Sequence, residues 1–186
     1  MAGKIIVICA PSGTGKSTLI NRLKGEYPEL KWSVSHTTRP MRANEEHGKD
    51  YFFITVEEFE NHIKEGNFIE WFKVHNDYKG SSKIFVDNGL KSDWIMLFDV
   101  DVQGADALKK IYGTNAQVIF IEPPSIEELE VRLRSRKTDS EEQIQLRIEN
   151  AKKELARKND YDFLILNDEV AEAYKKLKDA VERILK

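Results

Sequence analysis

Four short apolar runs along the chain predict buried strands. They are continuous and rich in β-branched residues, which is typical of strands covered on both faces. The runs lie at residues 4–9, 94–98, 117–121 and 163–166. The clearest helical pattern has apolar residues at steps of three and four, namely Val170, Tyr174, Leu177, Val181 and Ile184. This alternation of strands and helices predicts an α/β fold with a mainly parallel sheet.

The sequence also marks where several helices begin and end. Three helix starts have Ser or Thr followed three residues later by Glu or Gln, the pattern of a capping box. The pairs are Thr55 with Glu58, Ser125 with Glu128, and Ser140 with Gln143. Gly66 follows the first of these helices, and we expect it to end that helix in a left-handed conformation.

Two segments interrupt the alternation and predict additions to the core. Residues 33–85 are rich in aromatic side chains and contain strand candidates at 51–54 and 68–74, which predicts a small inserted subdomain of mixed α+β structure. Residues 125–156 are helical and highly charged, and they follow a Pro-Pro pair that ends the preceding strand. We therefore predict a single domain, 1–186, with a core made of 1–32, 86–124 and 157–186.

Composition narrows the class of protein. Of the 186 residues 40% are hydrophobic, and 29 basic against 32 acidic side chains give a net charge of −3. These values exclude collagen-like and disordered chains and argue against a general nucleic-acid binder. We expect no membrane span, because no apolar run reaches the roughly 20 residues that a span needs, and no secretion signal. Cys9 is the only cysteine, so we expect no intrachain disulfide and a cytoplasmic location.

The segment after the first strand predicts a phosphate-binding loop. Its sequence is APSGTGKS, which differs from the pattern G-x-x-x-x-G-K-[ST] only in having Ala10 at the first position. Gly13 and Gly15 allow backbone N–H groups to converge on phosphate oxygens. Lys16 supplies a positive charge there, and the hydroxyl of Ser17 is a ligand for Mg²⁺. A Gly-rich turn with an incidental Lys-Ser pair is the alternative. The loop predicts nucleoside triphosphate binding and leaves GTPases, ATPases and small-molecule kinases open.

A carboxylate at the end of a strand is the candidate for metal binding. The apolar run at 94–98 is followed by Asp99. In phosphate-loop proteins such an aspartate lies beside the nucleotide and helps to hold the metal. An aspartate that merely ends the strand is the alternative. Asp101 lies on the same side of the extended chain as Asp99.

Two arginine-containing segments suggest a phosphorylated second substrate. Arg39 and Arg42 lie close together among hydroxyl side chains, and guanidinium groups bind phosphate bidentately. Arg132 and Arg136 lie one helical turn apart in the charged segment, where a mobile lid could bring positive charge to a migrating phosphoryl group. The alternatives are a solvated basic turn and an ordinary charged helix with pairs such as Glu128 with Arg132.

Taken together, these blocks resemble guanylate kinase over essentially the whole chain. The matching stretches are APSGTGKST, SVSHTTRPMR, DYFFITVEEF, GNFIEW, FDVDVQG, IEPPSIEELEVRLRSR, TDSEE and LILND. The resemblance implies an α/β phosphate-loop NTPase core with a mainly parallel five-stranded sheet, an inserted mixed α+β GMP-binding subdomain at 33–85 and a helical lid at 125–156. The implied reaction is the magnesium-dependent phosphorylation of GMP, and also of dGMP, by ATP.

The resemblance also implies roles for individual residues. The residues implied around ATP are Ser12, Gly13, Thr14, Gly15, Lys16, Ser17, Thr18, Arg132, Arg136 and Asn167, the last near the adenine. The residues implied around GMP are Ser35, Arg39, Arg42, Tyr51, Glu70, Tyr78, Lys79, Ser81 and Asp101. The implied metal ligands are Ser17 and Asp99. The implied catalytic residues are Lys16, Arg39, Arg136 and Arg147.

Glu70 is the residue from which we predict selectivity for guanine. Guanine offers N1–H and N2–H₂ as donors, whereas adenine has an acceptor at N1, so a carboxylate there should reject AMP. The alternating run predicts that Glu70 shares a face of its strand with Phe68, Phe72 and Val74. A strand residue that points to solvent is the alternative, since the pattern does not say which face is wet.

The chain departs from the family pattern in two places. Lys79 occupies the position of a family tyrosine that contacts the GMP phosphate, and we expect retained activity with altered GMP affinity, with Tyr78 as a candidate substitute. The lid has Ser135-Arg-Lys137 where most relatives have glycines. The four histidines have no metal-ligand spacing and are interpreted as surface or turn residues: His36, His47, His62 and His75.

Two other functional classes stay open at this point. A guanylate-kinase-like module could bind partner peptides without catalysis, and a kinase of the same fold could use another acceptor such as AMP or CMP. The expected partners are ATP and GMP, without nucleic acid or membrane, for a monomer or small homo-oligomer.

Overall fold

A computed structural model describes residues 3–74, 77–135 and 140–186. The described residues form nine strands and seven α-helices, numbered here in chain order. The elements are β1 (Lys4–Cys9), α1 (Lys16–Glu26), β2 (Lys31–Trp32), β3 (His36–Thr37), β4 (Phe52–Phe53), α2 (Val56–Lys64), β5 (Phe68–Val74), β6 (Asp77–Ser82), α3 (Lys83–Lys91), β7 (Ile95–Asp99), α4 (Val102–Tyr112), β8 (Ala116–Glu122), α5 (Ile126–Ser135), α6 (Glu141–Leu155), β9 (Phe163–Leu166) and α7 (Val170–Leu185).

The larger sheet is parallel throughout and has five strands. Its strand order is β2-β7-β1-β8-β9, and β1 lies in the centre with Ile6 opposite Leu97 of β7 and Val7 opposite Val118 of β8. Both faces are covered, because α1 and α7 pack on one side and α3 and α4 on the other. Burial on both faces explains the continuous apolar runs. The predicted α/β class with a mainly parallel five-stranded sheet is confirmed.

The predicted helix ends agree with the structure. Thr55 and Glu58 form a reciprocal capping box at the start of α2, and so do Ser140 and Gln143 at the start of α6. Ser125 receives one bond of the pattern, from the N–H of Glu128 at 3.1 Å. Gly66 has φ +68° after α2, a left-handed conformation that favours glycine.

A second sheet lies between α1 and α3 in the sequence. Its strand order is β4-β3-β6-β5, and α2 packs on one face of it through Phe59, which stacks on Phe68 with ring centroids 4.4 Å apart. The register of β5 against β6 shifts between Phe68 and Glu70, which is a β-bulge. The bulge turns Phe68 towards α2, whereas Glu70 and Phe72 line the opposite face. The predicted common face for Phe68 and Glu70 is therefore wrong, and the side chain of Val74 lies outside the described part.

The helices α5 and α6 pack together beside the phosphate loop. Their shared core contains Leu129, Leu133, Ile144, Ile148 and Ala151. A Cβ atom added to Gly13 of the loop would lie 2.9 Å from Cδ2 of Leu133, so α5 is in direct contact with the loop. Arg136 and Lys137, which figured in the sequence predictions, lie outside the described residues, as does His75. None of the described helices is long and apolar enough to cross a membrane.

Candidate active site

The phosphate loop joins the end of β1 to the start of α1. Gly13 and Gly15 adopt φ of +97° and +87°, values that side chains other than glycine rarely tolerate. The Thr14 hydroxyl donates to the carbonyl of Pro11 at 2.9 Å and is buried. The loop therefore has a fixed shape with its N–H groups at the N-terminus of a helix, where anions bind favourably.

Lys16 and Asp99 meet where β1 and β7 end side by side. The ammonium group of Lys16 contacts the carboxylate of Asp99 and also donates to the carbonyl of Val100 at 2.8 Å. Ser17 and Thr18 lie at the same end of the cavity that the loop lines. The structure thus brings together the predicted lysine, hydroxyl and carboxylate of a nucleotide site.

Asn167 supports the phosphate loop from behind. Its Nδ2 donates to the carbonyl of Thr14 at 2.6 Å, and its side chain is buried. Arg132 approaches the same carbonyl at 3.4 Å and the carbonyl of Asn167 at 3.3 Å. The resemblance implied that Asn167 lies beside the adenine and that Arg132 reaches the phosphates, but here both side chains contact the back of the loop.

Arg147 extends from α6 to the front of the loop. Its Nη1 donates to the hydroxyl of Ser12 at 2.6 Å, and both residues line the cavity. A guanidinium group therefore lies beside the phosphate loop; the resemblance implied a catalytic role for Arg147.

Acidic and hydroxyl side chains line the opposite wall of the cavity. The Ser81 hydroxyl donates to Oε1 of Glu70 at 2.6 Å. Burial raises the pKa of Glu70, while the bond from Ser81 lowers the pKa in part and the negative charge of Asp101 raises it. Asp101 begins α4 and accepts from the N–H of Gly104 at 2.9 Å. Ser35 lies on the same wall, so four residues predicted to contact the base are together.

Arg39 forms a bidentate ion pair with Glu45. The two distances are 2.7 Å from Nη2 to Oε1 and 3.0 Å from Nη1 to Oε2, and Glu45 also accepts from the N–H of Arg42 at 2.8 Å. Glu45 lines the cavity, whereas neither arginine does in this state. Sequence analysis missed Glu45, although an acidic residue three positions after Arg42 was an available signal.

Lys79 and Tyr78 lie on opposite faces of β6. Lys79 lines the cavity, with its ammonium nitrogen 5.3 Å from the centre of the Tyr51 ring. Tyr78 stacks on Phe59 at 5.1 Å, on the side of α2. The structure therefore does not bring Tyr78 to the cavity, because successive side chains of a strand alternate between its faces. The prediction that Tyr78 could substitute for the family tyrosine is therefore corrected.

One cavity of about 750 Å³ connects the phosphate loop with the wall that contains Glu70, Ser81 and Asp101. It runs from the phosphate loop and Arg147 at one end to the acidic wall at the other, and it reaches Tyr51 and Lys79 at the side. Sequence analysis also missed Asn150 and Glu154 of α6, which line it.

His36 differs from its interpretation as a surface or turn residue. It belongs to β3, and its ring stacks on Phe52 at 4.8 Å. Burial, together with the charges of His62 and His47, lowers the pKa of His36 to about 4. His36 lines a second cavity of about 330 Å³, in which Trp94 is another lining residue.

The fold and the cavity define a phosphate-loop protein of the nucleoside monophosphate kinase class. The loop suits the triphosphate of a donor nucleotide, and the polar wall at the other end of the same cavity suits a second nucleotide. A family model for guanylate kinase matches residues 2–184. The chain belongs to the guanylate kinase family, as the sequence blocks predicted.

Individual relatives agree over nearly full length. The chain is 44% identical over 179 residues to the guanylate kinase of Rickettsia felis, covering 96% of this chain and 93% of that protein. It is 40% identical over 185 residues to the guanylate kinase of Thermotoga maritima, covering 100% and 86%. The crystal structure of guanylate kinase from Anaplasma phagocytophilum superposes with a TM-score of 0.74 at 28% identity, covering 98% of this chain and 86% of that one.

Proposed function

We propose that this chain transfers the terminal phosphoryl group of ATP to GMP, giving ADP and GDP. The observation that carries this proposal is the single cavity that joins the phosphate loop to a wall containing Glu70, Ser81 and Asp101. Such a cavity has room for a donor and an acceptor end to end, and its two ends have complementary chemistry: hydrogen-bond donors for phosphates and acceptors for a base.

The donor end would hold the triphosphate. Backbone N–H groups of the loop and the ammonium group of Lys16 would bind its phosphate oxygens. Lys16 would exchange its contact with Asp99 for these oxygens, a small movement because both groups line the same cavity.

Ser17 and Asp99 fit a magnesium ion. Mg²⁺ is held mainly by nucleotide phosphates and waters, so one hydroxyl and one carboxylate suffice from the protein. Within the described residues, no group of three or more His, Cys, Asp or Glu could hold a metal alone, which agrees with an ion that arrives with its nucleotide. When bound, such an ion supplies positive charge to the phosphates.

The acceptor wall would select guanine. Glu70 and Asp101 are acceptors for the N1–H and 2-amino donors of that base, and Ser35 and Ser81 add hydroxyl groups. Adenine would present an acceptor to the half-buried carboxylate of Glu70, which leaves that carboxylate unpaired by the ligand and is costly.

Positive side chains and one phenol, from three segments, would hold the phosphate of GMP. We assign Arg39, Arg42, Tyr51 and Lys79 to this role. Arg39 would turn from Glu45 to the incoming phosphate, since a dianion competes well for a guanidinium fork.

The transfer itself would be direct and in line. An oxygen of the GMP phosphate forms a bond to the γ-phosphorus while the bond from that phosphorus to the β,γ-bridging oxygen breaks. Arg147 already lies beside the loop, and with Arg132 and Arg136 it would stabilise the negative charge that spreads over the migrating group. No covalent enzyme intermediate is required.

The proposed roles belong to separate ranges of the chain. We assign the core to 1–32, 86–124 and 157–186, acceptor binding to 33–85, and closure over the substrates to 125–156.

We further propose that dGMP is also an acceptor. We propose that the enzyme is a cytoplasmic monomer or small homo-oligomer, acting on free nucleotides without nucleic acid or membrane partners.

A panel of acceptors tests this function. ADP formation is measured with GMP, dGMP, AMP and CMP on the parent, on Glu70→Gln and on the exposed control Glu29→Gln. We expect GMP to be strongly preferred by the parent and the control. Loss of one charge-assisted hydrogen bond, about 1.5–3 kcal/mol, should lower kcat/KM for GMP about 10- to 100-fold in Glu70→Gln while AMP changes little. Equal rates with AMP and GMP in the parent would refute the assignment of the base, and GMP binding without turnover would indicate a binding module.

A further inference from the structure

A third acidic residue reaches the cavity from α6. Glu154 is the penultimate residue of that helix and lines the cavity together with Arg147 and Asn150. The spacing of three and four residues puts all three on one face of α6. The helix that holds Arg147 beside the phosphate loop therefore also extends a carboxylate into the cavity.

Glu154 is partly buried, and its carboxylate has no hydrogen-bond or ion-pair partner among the residues that the structure describes. Basic side chains close to it are engaged elsewhere. Arg157 binds Asp106 at 2.7 Å, and Lys158 binds Glu122 at 2.7 Å. Lys158 lies beyond the last residue of α6, so it is not placed as a helical i+4 partner of Glu154.

The surroundings of Glu154 disfavour its charge in three ways. Burial raises the pKa of Glu154 to about 7, and the charge of Asp101 contributes in the same direction. The residue also lies at the C-terminal end of α6, the negative end of the helix dipole. An ionised carboxylate at this position lowers the stability of the protein without ligand. A ligand that donates hydrogen bonds to Glu154 would offset this destabilisation.

We propose that Glu154 is a specificity-determining residue that accepts hydrogen bonds from donor groups of the acceptor nucleotide, either ribose hydroxyls or the 2-amino group. This inference rests on the proposed function. A carboxylate is an acceptor only. Both nucleotides carry neutral donors, and the influence of the Asp101 charge on Glu154 favours those of the acceptor. Because Glu154 and Arg147 share one rigid helix, a bond to Glu154 ties the position of that arginine to the presence of the acceptor.

The test compares Glu154→Gln with Glu149→Gln, an exposed glutamate of the same helix. The full-length variants are assayed for KM of GMP and of ATP, for GMP affinity by calorimetry, and for melting temperature. We expect Glu154→Gln to weaken GMP binding by about tenfold, to change KM for ATP by less than about twofold, and to keep or raise the melting temperature. Glu149→Gln should match the parent.

Two further acceptors locate the contact. IMP lacks the 2-amino group and dGMP lacks the 2′-hydroxyl, so the nucleotide that lacks the bonded donor should be insensitive to Glu154→Gln. Sensitivity of both nucleotides assigns the bond to the 3′-hydroxyl, which both retain. Unchanged GMP affinity in that variant, or a lower melting temperature with no selective effect on GMP, would overturn the inference and assign Glu154 a structural role. A parent that binds GMP but does not phosphorylate it would refute the proposed function alone, since calorimetry still tests Glu154.

Discussion

Replacing Asn167 with aspartate tests how the phosphate loop is held. The amide of Asn167 donates to the carbonyl of Thr14 at 2.6 Å, and both side chains are buried. An aspartate has nearly the same shape, but its ionised form cannot donate. Asn167→Asp therefore puts a carboxylate against a carbonyl oxygen that has only the long 3.4 Å contact from Arg132 as a further side-chain donor.

The magnitude follows from the lost bond. A buried group left unsatisfied costs about 1–3 kcal/mol, and a buried charge adds to this. We expect a loss of about 3 kcal/mol in the free energy of unfolding at pH 8. For a chain of this length each kcal/mol corresponds to about 2–4 °C, so the melting temperature should fall by about 6–12 °C. The KM for ATP should rise because the loop is no longer fixed.

The effect should depend on pH with a definite sign. Burial raises the pKa of the new carboxyl group in the folded state above its value in the unfolded chain. Below that folded pKa the protonated carboxyl can donate to Thr14 again, so the deficit relative to the parent should shrink at pH 5 and be fully present at pH 8.

Scanning calorimetry of the parent, Asn167→Asp and Asn167→Ala at both pH values provides the measurement. Asn167→Ala loses the same bond without gaining a titratable group, so its deficit should be nearly the same at both pH values. A melting temperature of Asn167→Asp equal to that of the parent, or a deficit that does not change with pH, would refute the reasoning.

Three other changes have expected outcomes. Gly15→Ala should lower the free energy of unfolding by about 1–3 kcal/mol, because φ is +87° and the added Cβ would lie 2.7 Å from Nδ2 of Asn167. Gly25→Ala, in the helix that follows, meets nothing within 4 Å and should stabilise by about 0.4–1 kcal/mol; calorimetry checks both signs. Lys79→Tyr should keep or improve the use of GMP, because a phenol beside Tyr51 still donates to phosphate. The coupled ADP assay measures this change, and a tenfold rise in KM for GMP would contradict it.

Much of the core could be predicted because its pattern is local. The strands β1, β7 and β8 are largely buried on both faces and appear in the sequence as uninterrupted apolar runs. The edge strand β9 is also an apolar run, although Leu164 and Leu166 are exposed. The strands β2, β3 and β4 contain two residues each, too few to show a period. Their pairing depends on neighbours that are distant in the sequence.

The strand β6 was missed for a different reason. Its sequence is DYKGSS, and one face lines the polar cavity while Gly80 lies under Phe59 on the other. A strand that serves a binding site has no apolar alternation to detect. Strand alternation would nevertheless have predicted that Tyr78 and Lys79 cannot both reach one phosphate.

The candidate site also has a part that could be predicted from local sequence and a part that could not. The phosphate loop is one contiguous motif, so its residues could be identified from their order alone. The roles of Glu45 and Glu154 depend on contacts with other segments, which no linear pattern displays. The resemblance implied a place near the adenine for Asn167, whereas its side chain donates to the carbonyl of Thr14 in the phosphate loop, a contact between segments that are distant in the sequence.

The bulge between Phe68 and Glu70 has a consequence for how such an enzyme can change over generations. One extra residue sends the aromatic neighbour to the subdomain core and the acidic neighbour to the cavity. Under the proposed function, substitutions at Glu70, Phe72 or Lys79 alter acceptor preference without disturbing the stack of Phe68 on Phe59. The side chains proposed to choose the acceptor and those that hold the subdomain together lie on opposite faces of one sheet, so the first set can change over generations while the second is kept.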